Sequence, residues 1–149
     1  LELYDSPANL FVASFIGLPP TNFFDVTIEN GFAVSRGKDG NRAFQVELTA
    51  EEKDMLRNYQ GKVVTLGVRP EHVVPDGTIP LKVFTNENLG MNTLVHGHLG
   101  DSRSSSDKIT AKFRGWCNYK DGDTASVSFT RRHFFDKETT NAIRKEGQP

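Results

Sequence analysis

The chain has 149 residues, with Lys and Arg totalling 18, Asp and Glu 19, and a net charge of −1. That length fits one ordinary domain or two small packed lobes, and buries enough surface for a core without staples. Near-zero charge argues against a dedicated nucleic-acid binder, which needs excess positive charge to neutralise phosphates. The single cysteine, Cys117, forms no disulfide within the chain, which suits a reducing compartment.

The first residues read as a short helix. Ser6 serves as its N-cap and Pro7 stands at the first helical position, where a missing N–H costs nothing. Phe11, Val12, Phe15 and Ile16 form one apolar stripe, and Gly17 with Pro19-Pro20 stops the helix. Such a face needs a body to pack against. From Phe23 the period changes to two: Phe24-Val26-Ile28, Phe32-Val34 and Phe44-Val46-Leu48 alternate. Asn30-Gly31 marks a hairpin turn and the 37–41 stretch another. Thr49 and Glu52 make a capping box for a second helix carrying Met55, Leu56 and Tyr59, closed near Gly61. Val64-Leu66-Val68 predicts a strand ended by Arg69-Pro70, and Asp76-Gly77 predicts a turn. Further strands follow at Leu81-Val83, Thr93 to Gly97, Ile109-Ala111-Phe113 and Ala125-Val127-Phe129. The 100–107 stretch reads as a polar, serine-rich loop, and Asp121-Gly122 as a turn. Many short strands at this spacing predict a mainly β fold, a small barrel or sandwich with two helices. The pattern also allows two barrel-like lobes, 22–75 and 79–136, with 137–149 a polar tail.

No catalytic motif is present: no G-x-x-x-x-G-K-[ST] phosphate loop, no G-x-G-x-x-G and no G-x-S-x-G. His96 and His98 share a strand face and would supply half of a metal site, but nothing supplies the remaining ligands. A pair of half-exposed strand histidines is the simpler reading, so no metal or other cofactor is expected. Arg69-Pro70-Glu71-His72 reads as a bent strand exit, a satisfied structural corner or a contact with another domain. Arg131-Arg132-His133 is a small basic run with Asp136 and Glu138 near it, which predicts a solvated mixed face. Cys117 beside Trp116 reads as a core or hinge residue.

Residues 3–17, LYDSPANLFVASFIG, followed by Pro19 and Asn22-Phe23, resemble the junction of maltose-type sugar ABC transporter ATP-binding subunits, where the nucleotide-binding domain enters the regulatory domain. Gly67 to His72 resembles that family's G-x-R-P-E-H. Glu87 to Val95 resembles its E-x-x-G-x-x-T-L-V, and Phe134-Phe135-Asp136 its final h-x-F-D strand. The matches keep the family's order and span residues 3–136, although 100–125 carries none and Glu138-Thr139-Thr140 replaces the usual T-G. The resemblance implies an OB-type (TOBE) β domain over 19–136, with residues 1–18 the last helix and linker of a missing nucleotide-binding domain. With Leu1 as first residue, the chain is expected to be an internal piece of a longer protein. The implied whole subunit uses ATP and Mg to drive sugar uptake from the inner face of the cell membrane. Its implied partners are its own nucleotide-binding domain, a second copy, the membrane subunits and regulatory proteins, with no nucleic acid. On this resemblance the piece itself is a regulatory and dimerisation domain and not an enzyme. Phe11, Phe15 and Ile16 would contact the nucleotide-binding domain, and Arg69, Glu71 and His72 would make interdomain or dimer contacts. The alternative is a small-ligand sensor, since related TOBE modules in molybdate systems bind oxyanions at subunit interfaces. The R-P-E-H and F-I-G-x-P patterns favour the sugar type.

Overall fold

In the computed structural model the described residues are 20–36, 42–100 and 108–144. The expected first helix, with Phe11, Phe15 and Ile16, and the serine-rich loop at 101–107 lie outside them. The expected mainly β fold is observed, as two antiparallel sheets. The first has the strand order β3-β2-β1-β4-β9, the second β7-β6-β5-β8.

The first sheet is built from β1 (Asn22–Glu29), β2 (Phe32–Arg36), β3 (Arg42–Glu47), β4 (Val63–Val68) and β9 (His133–Phe135). Alternation along β1 buries Phe24, Val26 and Ile28 on one face. Asn30 and Gly31 have φ of 52° and 81°, the paired positive values of a type I′ turn, which joins β1 to β2 in tight register. Between β3 and β4 lies the helix α1 (Ala50–Met55). Its capping box is complete: Glu52 N–H donates to Thr49 Oγ1 at 3.1 Å, and Thr49 N–H donates to Glu52 Oε1 at 2.9 Å. A 3-10 turn, Arg57–Tyr59, carries the chain on. Gly61 N–H then donates to Ile28 C=O at 2.7 Å, fastening the helical segment to β1, and Leu56 is buried beneath it.

The second sheet holds β5 (Val73–Asn88), β6 (Asn92–Leu99), β7 (Lys108–Arg114) and β8 (Thr124–Phe129). The turn expected at Asp76-Gly77 is instead a bulge inside β5. Both Pro75 and Ile79 pair with Val127, so the residues between them loop out of the ladder. Asp76 takes φ of 68°, and a Cβ on Gly77 would lie 2.0 Å from the Val127 carbonyl oxygen. The local turn signal is real, but tertiary pairing carries one strand through it.

Both sheets share one hydrophobic core. Phe24 and Phe44 of the first sheet meet Phe129 of the second, with ring centroids 5.3 to 6.3 Å apart in edge and stacked contacts. Strand β9 then brings the chain back to the first sheet beside β4, where Phe134 and Phe135 are fully buried.

Candidate functional site: a basic corner and an exposed apolar hairpin tip

Strand β4 ends at Val68 because Pro70 removes a ladder donor and opens a 3-10 turn, Pro70–His72. Arg69 just before it is buried, and its guanidinium donates to Thr21 Oγ1 at 3.2 Å. Glu71 is exposed and lines a cleft of about 490 Å³ with Lys112, Arg114, Cys117 and Tyr119. His72 is half-buried, and its carbonyl accepts from Thr130 N–H at 2.9 Å and Thr130 Oγ1 at 3.3 Å.

That tie brings the 130–133 stretch against the corner. Register does the rest, since β4 pairs Gly67 with His133. Phe135 bridges Ala142, and Ile143 N–H donates to Phe134 C=O, which leads Arg144 to the other side of His133. Burial, followed by the positive charges of Arg131, Arg69, His72 and Arg144, lowers the His133 pKa to about 4.

The basic run itself departs from the expected mixed face. Arg132 points inward, donating from Nε to Glu52 Oε2 at 2.8 Å and from Nη2 to Glu52 Oε1 at 2.5 Å and Glu47 C=O at 2.7 Å. Burial raises the Glu52 carboxyl, but the Arg132 and Thr49 hydrogen bonds and the Arg132 charge outweigh it and hold the pKa below the usual range. Asp136 instead accepts from Tyr59 Oη at 2.8 Å and from the backbone of Glu138 and Thr139. Sequence neighbours in an extended chain project to opposite sides, so the partners came from other elements.

Asn22, quoted above without a role, stitches the two sheets. Its side-chain amide donates to Val68 C=O at 3.0 Å and Thr110 C=O at 2.9 Å, and accepts from Thr110 N–H at 2.9 Å. The histidines of β6 take separate environments. His98 is buried against Phe84, ring centroids 4.2 Å apart. His96 Nδ1 lies 3.0 Å from Thr110 Oγ1, and its Nε2 3.7 Å from Glu87 Oε1. Among the described residues no group of three or more His, Cys, Asp or Glu is arranged to hold a metal.

A second feature lies at the β5–β6 tip and was missed from sequence. Leu89, Met91 and Trp116 are 57%, 84% and 68% exposed. Gly115 N–H donates to Met91 C=O at 2.7 Å, which holds Trp116 close to the tip. A signal was available, since Leu89 and Met91 flank Gly90 within a strand-turn-strand segment. Exposed large apolar side chains grouped in this way mark contact surfaces. No helix among the described residues is long and apolar enough to cross a membrane.

An antiparallel two-sheet β domain with a capped helix between its third and fourth strands, and no catalytic constellation among its motifs, is of the OB-fold class. Residues 17–73 match the family model of the MalK OB fold domain. The chain is 36% identical over 156 residues to the multiple sugar-binding transport ATP-binding protein MsmK of Streptococcus mutans, covering 96% of this chain and 39% of that protein. It is 37% identical over 154 residues to the sn-glycerol-3-phosphate import ATP-binding protein UgpC of a Ruegeria species, covering 96% and 37%. With the trehalose/maltose import ATP-binding protein MalK of Thermococcus litoralis it shares 34% identity over 157 residues, covering 95% and 39%. Residues 17–73 thus match the MalK OB fold family, and the chain is similar over 95–96% of its length to ABC importer ATP-binding subunits. It spans about two-fifths of the length of the curated relatives it matches.

Proposed function

We propose that this chain is the regulatory and dimerisation domain of the ATP-binding subunit of a carbohydrate ABC importer. The observation that carries the reading is the similarity over 95–96% of the chain to ATP-binding subunits, in a sequence with no phosphate loop. A stretch that matches such subunits without their nucleotide motif serves them by contact and not by hydrolysis. The exposed Leu89, Met91 and Trp116 suit a surface that is covered by another protein.

In this reading the apolar face of Phe11, Phe15 and Ile16 packs on the nucleotide-binding domain of the same subunit. Arg69, Glu71 and His72 make contacts between domains or copies, with Glu71 the most exposed of the three. The complete subunit binds ATP and Mg, sits on the inner face of the membrane against the transport subunits, and drives uptake of a sugar. The closing test is twofold. Calorimetry of the chain with Mg-ATP is expected to show no saturable binding, and Met91→Glu is expected to lower self-association while the β spectrum stays intact. Saturable ATP binding, or a variant that associates as well as the parent, contradicts the reading.

A further inference from the structure

We propose that the cleft between the Pro70–His72 turn and strand β7 binds a small amphoteric molecule, an acidic α-amino acid. Its volume of about 490 Å³ falls within the range of small-molecule pockets. Three segments build it. The 3-10 turn packs against β7 and brings Glu71 to the cleft. Strand β7 brings Lys112 and Arg114, which a period of two places on one face. Arg114 pairs with Asn92 of β6, so three polar side chains stand in one patch. Buried Phe113 and half-buried Tyr119 add apolar surface, their ring centroids 6.2 Å apart in edge contact. The 117–119 border is fixed from β5 and β6: Cys117 N–H donates to Thr93 Oγ1 at 3.0 Å, and Asn86 Nδ2 donates to the Tyr119 carbonyl. The cleft is therefore formed before any ligand arrives, which lowers the cost of binding.

The charges of the cleft are of both signs and are unspent. Among the described residues, the side chains of Glu71, Lys112 and Arg114 make no hydrogen bond or ion pair. One carboxylate and two cations thus line the same space without meeting, which leaves room for a ligand that answers both signs. An acidic α-amino acid is the complement, with two carboxylates and one ammonium. Its carboxylates face Lys112 and Arg114, whose guanidinium presents a forked N–H pair to planar oxygens. Its ammonium faces Glu71, and the Asn92 amide can donate or accept beside them. Its methylene groups lie on the Phe113 and Tyr119 surface. A simple anion is repelled by Glu71 and a simple amine by the two cations, so the amphoteric ligand is preferred to either. The cleft lies within one copy of the chain and needs no second one, so it does not rest on the dimerisation reading.

The test is calorimetry of this chain at pH 7 with L-glutamate, with glutarate, which lacks the ammonium, and with γ-aminobutyrate, which lacks the α-carboxylate. L-Glutamate is expected to bind saturably and about tenfold more tightly than either of the others. Glu71 and Arg114 are exposed, so substitutions there keep the fold, which a thermal melt checks. Glu71→Gln is expected to remove the preference for glutamate over glutarate. Arg114→Gln is expected to weaken glutamate binding about tenfold, whereas Lys53→Gln, on α1, leaves it unchanged. No saturable binding of L-glutamate, glutarate or γ-aminobutyrate bound as tightly as glutamate, a preference that survives Glu71→Gln, or equal effects of Arg114→Gln and Lys53→Gln would each overturn the proposal.

Discussion

At the scale of single residues, the strongest constraints come from polar side chains that reach across the fold. Asn22 satisfies backbone groups 46 and 88 positions away, and truncating it removes these bonds from a buried Val68 carbonyl and a part-buried Thr110 backbone. Asn22→Ala is therefore expected to cost about 1–3 kcal/mol in urea unfolding. The Glu52–Arg132 pair is similar, with side chains 11% and 12% exposed. Arg132→Ala is expected to cost more than Arg132→Ala combined with Glu52→Ala, because the single change leaves a largely buried carboxylate without its counter-charge. A double-mutant cycle measures that difference. Neither role was legible in the sequence. Asn22 stood in a motif without a reason, and Arg132 was assigned to the surface, because each is defined by partners far along the chain.

Acid should weaken this fold, and His133 gives the sign. Its folded pKa of about 4 lies below the ordinary value of 6.5, so between those values the unfolded chain takes up the proton more readily. Its contribution is therefore present above pH 6.5 and lost as pH falls toward 4. The size is bounded by about 3 kcal/mol and reduced by solvent at the half-buried ring. Glu52, also held below its usual pKa, loses its contribution in the same direction as pH falls through the carboxylate range. His133→Gln is expected to flatten the upper part of the decline, which thermal melts from pH 7 to pH 4.5 would show.

At the scale of elements, what the chain announces locally was readable. The Asn30-Gly31 turn, the Thr49–Glu52 capping box and the alternating strands depend on residues within a few positions of one another. The bulge in β5 was not, because Asp76-Gly77 carries a turn signal and the pairing with β8 is decided from across the sheet. Gly77→Ala would press a methyl group onto the Val127 backbone and is expected to cost several kcal/mol, about 2 or more, or to abolish soluble folding. Expression yield and thermal melting check this, and an unaltered melt would show that the bulge is not fixed by that contact. The edge strand β7 is also guarded. Asn22 caps its backbone at Thr110, and Lys108, Lys112 and Arg114 lie along one row of it, charges that discourage strand-to-strand aggregation.

At the scale of the whole molecule, a shared aromatic core of Phe24, Phe44 and Phe129 makes the two sheets one packed body. The mainly β class and the OB-type family were readable because they rest on periodicity and on motifs spread along the chain in order. The exposed hairpin tip was passed over because sequence alternation does not tell which apolar residues a fold leaves outside. In the proposed contact role, Leu89, Met91 and Trp116 are the surface that a partner would cover. The central claim is that the chain pairs with a second copy, and light scattering across a concentration series tests it most directly. A mass that rises reversibly from one chain to two, and falls back with Met91→Glu, is the predicted result. A single-chain mass at every concentration would contradict the dimerisation role.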